Sequence, residues 1–145
     1  MSDVDDQPLG YLLSRIVTAM RPAVAAELRP LGLTLSEFVC LRILAMTPGR
    51  SSAELARETN VSPQSMNTVL RGLQKMGVVT RPTSVSSGRA LPAQLTSEGM
   101  RLLKRAEVAT RRVDDRVLAN LTPARQREFR KLLEAVGSGS HEALS

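Results

Sequence analysis

The sequence predicts a mainly α-helical chain with a small β-hairpin, and three observations carry that reading. Apolar residues recur at spacings of three and four along most of the chain. Ser62-Pro63 and Thr122-Pro123 each place a capping side chain before a proline, a specific signal for a helix start. Between Ser51 and Gln94, two helical patterns joined by a tight turn are followed by two β-prone runs around a glycine. A turn-linked helix pair with a basic hairpin behind it is a way to set one helix into a DNA groove and a loop beside it.

The totals narrow the function classes. A chain of 145 residues supports one domain with a real core. Hydrophobic residues at 42% and charged residues at 23% are ordinary globular values. One Tyr, two Phe and no Trp argue against stacking recognition of single-stranded nucleic acid and predict an aliphatic core. A net charge of +6 favours an anionic partner, with duplex DNA first and a membrane surface second. No run approaches the roughly 18 apolar residues of a membrane span. The N-terminus Met1-Ser2-Asp3-Val4-Asp5-Asp6 is acidic where a signal peptide would be basic. With a single cysteine and so no disulfide framework, these features place the protein in the reducing cytoplasm.

The first helical pattern starts near Pro8 and carries Leu9, Leu12, Leu13, Ile16, Val17, Met20, Val24 and Leu28 as one stripe. Pro22 removes a backbone hydrogen bond and crowds the carbonyl four residues back, which predicts a kink or a break. Pro30, Gly32 and Thr34 punctuate the chain. Ser36 and the run Phe38, Val39, Cys40, Leu41, Ile43, Leu44 and Met46 then predict a central helix buried on most sides. Cys40 reads first as a small buried hydrophobe and second as a redox-sensing thiol.

Ser51-Ser52-Ala53-Glu54 matches a capping box, so a helix is expected from Ser52 to Glu58, with Leu55 and Ala56 inward. Asn60 stands where that helix must turn left-handed, and Val61 fills the corner. The next helix is expected from Pro63 to about Met76. At 100° per residue, Met66, Val69, Leu70, Leu73 and Met76 or Gly77 gather on one face, and Gln64, Asn67, Thr68, Arg71 and Lys75 on the other. Such a polar strip is often only solvated surface. Here few carboxylates balance it, and the segment that follows is also basic.

Val78-Val79-Thr80-Arg81-Pro82 and Arg89-Ala90-Leu91-Pro92-Ala93-Gln94-Leu95 flank Ser84-Val85-Ser86-Ser87-Gly88. The prolines predict an edge hairpin rather than a larger sheet, projecting as a wing with Arg89 near its tip. Thr96-Ser97-Glu98 caps a long helix in which Met100, Leu103, Ala106 or Glu107, Thr110, Val113, Val117 and Leu121 recur near a 3.5-residue period, the spacing of a helix-helix seam. A last helix starts at Pro123 with Phe129, Leu132, Leu133 and Val136 on one face. Gly137-Ser138-Gly139-Ser140 reads as a linker, with a disordered tail over 138–145.

In order and spacing these parts resemble the MarR family of bacterial transcriptional regulators, from Leu9 to about Val136. The carrying stretches are Leu31 to Phe38, Ser52 to Arg57, Val61 to Leu73, and Gly88-Arg89 followed by Leu95-Thr96-Ser97-Glu98-Gly99. The resemblance implies one domain over 1–145: a winged helix-turn-helix lobe at 34–96, and a helical dimerisation lobe from 7–33 and 97–137. It implies a homodimer on a pseudo-palindromic double-stranded DNA operator, usually a repressor relieved by small anionic or phenolic compounds. Three positions depart from the family pattern: Ser87 in place of an Asp, Pro92 in the second wing strand, and Asn60 where many relatives have glycine.

On this reading Gln64, Asn67, Thr68 and Arg71 read base edges, with Ser62 and Ser65 beside them. Lys75, Arg81 and Arg89 contact phosphates or the minor groove. The family's habit of binding effectors between its two lobes points to Arg15, Arg21, Arg42 and Tyr11 for a carboxylate ligand. Two alternatives stay open: a redox-responsive regulator sensing through Cys40, and a winged-helix interaction module without sequence-specific DNA binding. Catalysis, a cofactor and a metal are not expected, because His141 is the only histidine and no nucleophile constellation or phosphate-cradling loop occurs.

Overall fold

The computed structural model describes residues 3–81 and 92–145 of the chain. Six α-helices are present among them: α1 Leu9–Leu28, α2 Leu35–Met46, α3 Ser52–Thr59, α4 Pro63–Lys75, α5 Ser97–Val117 and α6 Pro123–Ala143. Three short strands, β1 Arg50–Ser51, β2 Val79–Thr80 and β3 Pro92–Leu95, form an antiparallel sheet in the order β1-β3-β2. The register pairs Arg50 with Ala93 on one side of β3, and Val79 with Leu95 and Thr80 with Gln94 on the other.

Local chemistry sets the helix starts. Ser51 and Glu54 form a capping box at α3, each side chain meeting the other residue's backbone amide. Ser62, Thr96 and Thr122 cap α4, α5 and α6 through their hydroxyls. Helix α2 starts at Leu35, just before Ser36, because Thr34 and Glu37 make a second capping box. Asn60 ends α3 at φ 55°, the left-handed conformation its sequence position requires.

The core is aliphatic. Leu28, Leu41, Leu44, Leu55, Met66, Leu70, Leu73, Leu103 and Val113 are wholly buried, and Phe38 reaches this cluster only partly. Helix α1 packs chiefly on α5, and α2 packs on α5 and the sheet, so α2 is the element around which both halves are arranged. Gly99 sets the approach of α5 to the wing root. A Cβ there would collide with the Val78 carbonyl oxygen, which accepts the Thr96 amide at 3.1 Å.

Three expectations are corrected. Of the kink or break expected at Pro22, the break is absent, since α1 is continuous. The carbonyl deprived of its partner belongs to Thr18, and Thr18 and Pro22 are both exposed, so solvent can replace the lost amide. The hairpin is not an edge unit, because β1 adds to it and makes β3 central. Pro92 is tolerated there because it is the first residue of the strand. The segment Gly137 to Ser140 is not a linker and the tail after it is not unstructured, since α6 runs through to Ala143. Ser138 and Ser140 hydroxyls donate to Ala135 and Gly137 carbonyls, which supports helix there against the cost of the glycines.

Among the described residues no helix is long and apolar enough to cross a membrane, and no group of three or more His, Cys, Asp and Glu could hold a metal ion.

Candidate nucleic-acid interface

Helix α4 is held from behind. Met66, Leu70 and Leu73 are 1%, 0% and 0% exposed, and each such burial contributes about 1.5–3 kcal/mol. An exposed ion pair contributes about 0–1 kcal/mol. Packing therefore fixes the pose of α4, and its outer face is left to polar groups that the fold does not need.

On that outer face Gln64, Thr68, Arg71 and Lys75 are exposed, and α4 contains no acidic residue. Among the described residues, Thr68 bonds only back to the Gln64 carbonyl at 3.2 Å, within the helix. Gln64, Arg71 and Lys75 form no side-chain hydrogen bond or ion pair with the described residues. Ser62 and Ser65 sit at the N-terminus of α4, where the Ser62 hydroxyl donates to Ser65 Oγ at 2.9 Å and accepts the Ser65 amide at 3.1 Å. The positive end of the helix dipole and two small hydroxyls there suit a phosphate oxygen.

Asn67 and Arg81 are brought against each other rather than side by side facing outward. Arg81, just after β2, donates to Asn67 Oδ1 at 3.3 Å and to Gln74 Oε1 at 3.1 and 2.9 Å. Gln74 was not among the sequence candidates, although its seven-residue spacing from Asn67 puts both on one side of α4. Arg89, the turn Ser84 to Gly88 and the run Arg89-Ala90-Leu91 lie outside the described residues.

A second cluster missed from sequence stands at the base of α3. Arg50 meets Glu54 at 2.7 Å and Glu58 at 3.1 Å. The Arg50 hydrogen bond, with those of the Ser51 amide and hydroxyl, holds the Glu54 carboxyl below its ordinary range. The four-residue spacing of Arg50, Glu54 and Glu58 is the signal that would have found it. Arg50 and Arg57 together balance Glu54 and Glu58, so the net positive charge of the helix pair lies on α4, in Arg71 and Lys75.

Of the four effector candidates, only Arg21 borders a cleft between α1, α2 and the α3-α4 corner. That cleft has a volume of about 510 Å³ and is shared by Val39, Asn60, Ser65 and Met66. Arg15 lies 5.8 Å from the ring centroid of Tyr11, on the exposed side of α1. Arg42 pairs with Glu107 at 3.2 Å. Cys40 is 0% exposed. Burial, and then the negative charge of Glu37, push its thiol up to about 12, so the thiolate that oxidants attack is disfavoured and the redox reading gains nothing.

A turn-linked helix pair with a sheet-based wing, an acid-free outer helix face and amphipathic helices at its flanks defines a winged helix-turn-helix protein. The MarR family model matches residues 31–90. The chain is 61% identical over 138 residues to HTH-type transcriptional repressor Rv2887 of Mycobacterium tuberculosis, covering 95% of this chain and 99% of that protein. It superposes on the crystal structure of that organism's MarR family protein Rv2887 in complex with salicylic acid with a TM-score of 0.76 and 60% identity, over 92% of this chain and 99% of the other. For the Rv2887 complex with DNA the TM-score is 0.76 and the identity 55%, over 91% and 99% of the two chains. The chain belongs to the MarR family.

Proposed function

We propose that this protein is a sequence-specific DNA-binding transcriptional repressor rather than an enzyme. It acts in the cytoplasm as a homodimer on a pseudo-palindromic duplex and is released by a small aromatic or anionic effector. The observation that carries the proposal is the outer face of α4, where Gln64, Thr68, Arg71 and Lys75 stand exposed without an acidic neighbour on the helix. In a major groove, Arg71 suits a guanine edge and Asn67 and Gln64 suit hydrogen-bonding base edges, while Lys75 suits a phosphate. Arg89 keeps its proposed contact with a phosphate or the minor groove.

The dimer reading is supported by apolar surface that one protomer leaves uncovered. Leu9, Leu13 and Val17 on α1, Val117 and Leu121 at the end of α5, and Leu132, Leu133 and Val136 on α6 are all exposed. The effector reading is supported by the cleft at Arg21, since Asn60 and Ser65 of the helix-turn-helix line the same space. A carboxylate drawn to Arg21 would bear on the corner that orients α4. The relative solved with salicylic acid makes that compound the first to try. Arg42 and the Tyr11-Arg15 pair would join only by rearrangement, which an exposed Arg42-Glu107 pair resists by no more than about 1 kcal/mol.

Fluorescence anisotropy on a duplex that the protein selects from a randomised pool, against a scrambled duplex, tests the proposal. A preference of at least about a thousandfold is expected. Salicylate should weaken binding to the selected duplex, and Arg21→Ala should abolish that effect while binding persists. Equal affinity for both duplexes overturns the proposal.

A further inference from the structure

Arg81 lies at the root of the wing, immediately after β2, and is half-buried. Its Nε and Nη2 both donate to Gln74 Oε1, at 3.1 and 2.9 Å, while Nη1 donates to Asn67 Oδ1 at 3.3 Å. Among the described residues no carboxylate pairs with it. A guanidinium carries donors only, so the amide atoms that face it must be the oxygens. An amide whose orientation would otherwise be open is thereby set. The planar fork meets acceptors on residues two helical turns apart in one fixed geometry, which a point charge on a flexible stem does not hold.

We infer that Arg81 is a positioning residue for DNA reading: it acts through Asn67 and Gln74, fixing the Asn67 amide on the face of α4 and tying the wing root to that helix. The inference rests on the reading of α4 as the helix that enters the groove, and it departs from the assignment of Arg81 to the DNA backbone. With Oδ1 held by Arg81, Asn67 offers its amide nitrogen outward as a donor to base acceptors such as guanine O6 or N7 and thymine O4. Without Arg81 the amide rotates freely, and the preference at that base pair flattens.

Arg81→Lys separates the two roles, because it keeps the charge and loses the fork. Wild type, Arg81→Lys, Arg81→Ala, Asn67→Ala and the Arg81→Ala/Asn67→Ala double variant would be titrated on the selected and scrambled duplexes across a salt series, after circular dichroism melts confirm folding. As a positioning residue, Arg81 should lose about tenfold in the selected-to-scrambled ratio in both single variants, with an unchanged salt slope. The double variant should match Asn67→Ala to within about twofold. The inference is overturned if Arg81→Lys behaves as wild type while Arg81→Ala weakens both duplexes alike and lowers the slope by about one, as a phosphate contact would. Should Arg81→Ala not fold, Gln74→Leu removes the shared acceptor and keeps the charge. It should reproduce the loss in ratio, and an unchanged ratio again overturns the inference. Wild type that does not distinguish the two duplexes would overturn the proposed function itself, a result separate from any of these.

Discussion

Arg71 and Lys75 lie one turn apart on the same exposed face of α4, yet they should behave differently. A guanidinium can meet two acceptors of one base in a fixed fork, whereas an ammonium meets a phosphate as a point charge. Arg71→Ala is therefore expected to cost about 1–3 kcal/mol on the selected duplex and to relax its specificity. Lys75→Ala should weaken selected and scrambled duplexes alike and lower the salt slope by about one. Anisotropy titrations on both duplexes check this, and equal losses for Arg71→Ala would remove its base-reading role. Cys40 gives a pH prediction. Its thiol ionises near 9.0 when unperturbed and is pushed up to about 12 in the fold, by burial first and by Glu37 second. Below pH 9 both folded and unfolded chains hold the proton, so the full contribution is present. As pH rises from there, the unfolded chain ionises first and stability falls until the folded value is passed. Urea midpoints should drop over this range for wild type and drop less for Cys40→Ala, and native Cys40 should resist thiol reagents at neutral pH.

Secondary elements were legible where short-range chemistry decides them. The boxes and caps at Ser51, Ser62 and Thr122 could be read because each involves residues within three or four positions. Strand β1 was not legible, since its two residues are made a strand by β3, some forty positions later in the chain. The Arg81 contacts span shorter distances in sequence but were equally hidden, because they depend on how β2 leaves the end of α4. The far end of α6 is not legible from composition alone, because the helix already running into it decides its state. Propagation costs far less than nucleation, so a helix established from Pro123 can cross two glycines. Gly137 and Gly139 have nothing within 4 Å of an added Cβ. Replacing both with Ala should raise helicity and stabilise α6 by about 1 kcal/mol per site, measured by far-ultraviolet dichroism and thermal melts. No change in either would mean that α6 does not extend that far in solution.

The whole molecule divides its apolar surface in two. One part closes around α2 inside the protomer, and the other, on α1, the end of α5 and α6, faces outward. Among the described side chains of α6, only Gln126, Phe129 and Ser140 are not exposed. Gln126 fastens it to the end of α5 by donating to the Leu118 and Leu121 carbonyls at 3.0 Å. A long helix so lightly attached to its own protomer is placed to pack on a second copy, and a two-fold pair would set two α4 helices roughly 34 Å apart. Leu132→Glu should then shift sedimentation toward monomer and weaken binding to the selected duplex by about a hundredfold or more through the loss of bivalency. A dimer that survives unchanged would exclude the face around Leu132.

The central claim, that α4 reads sequence from a two-fold frame, is tested most directly by hydroxyl-radical footprinting of the wild-type protein on its selected duplex. The expected result is two related patches of protection about 10 base pairs apart or a multiple of that, with the protection lost on the scrambled duplex and weakened by Arg71→Ala. Uniform protection of both duplexes, unaltered by Arg71→Ala, would contradict it.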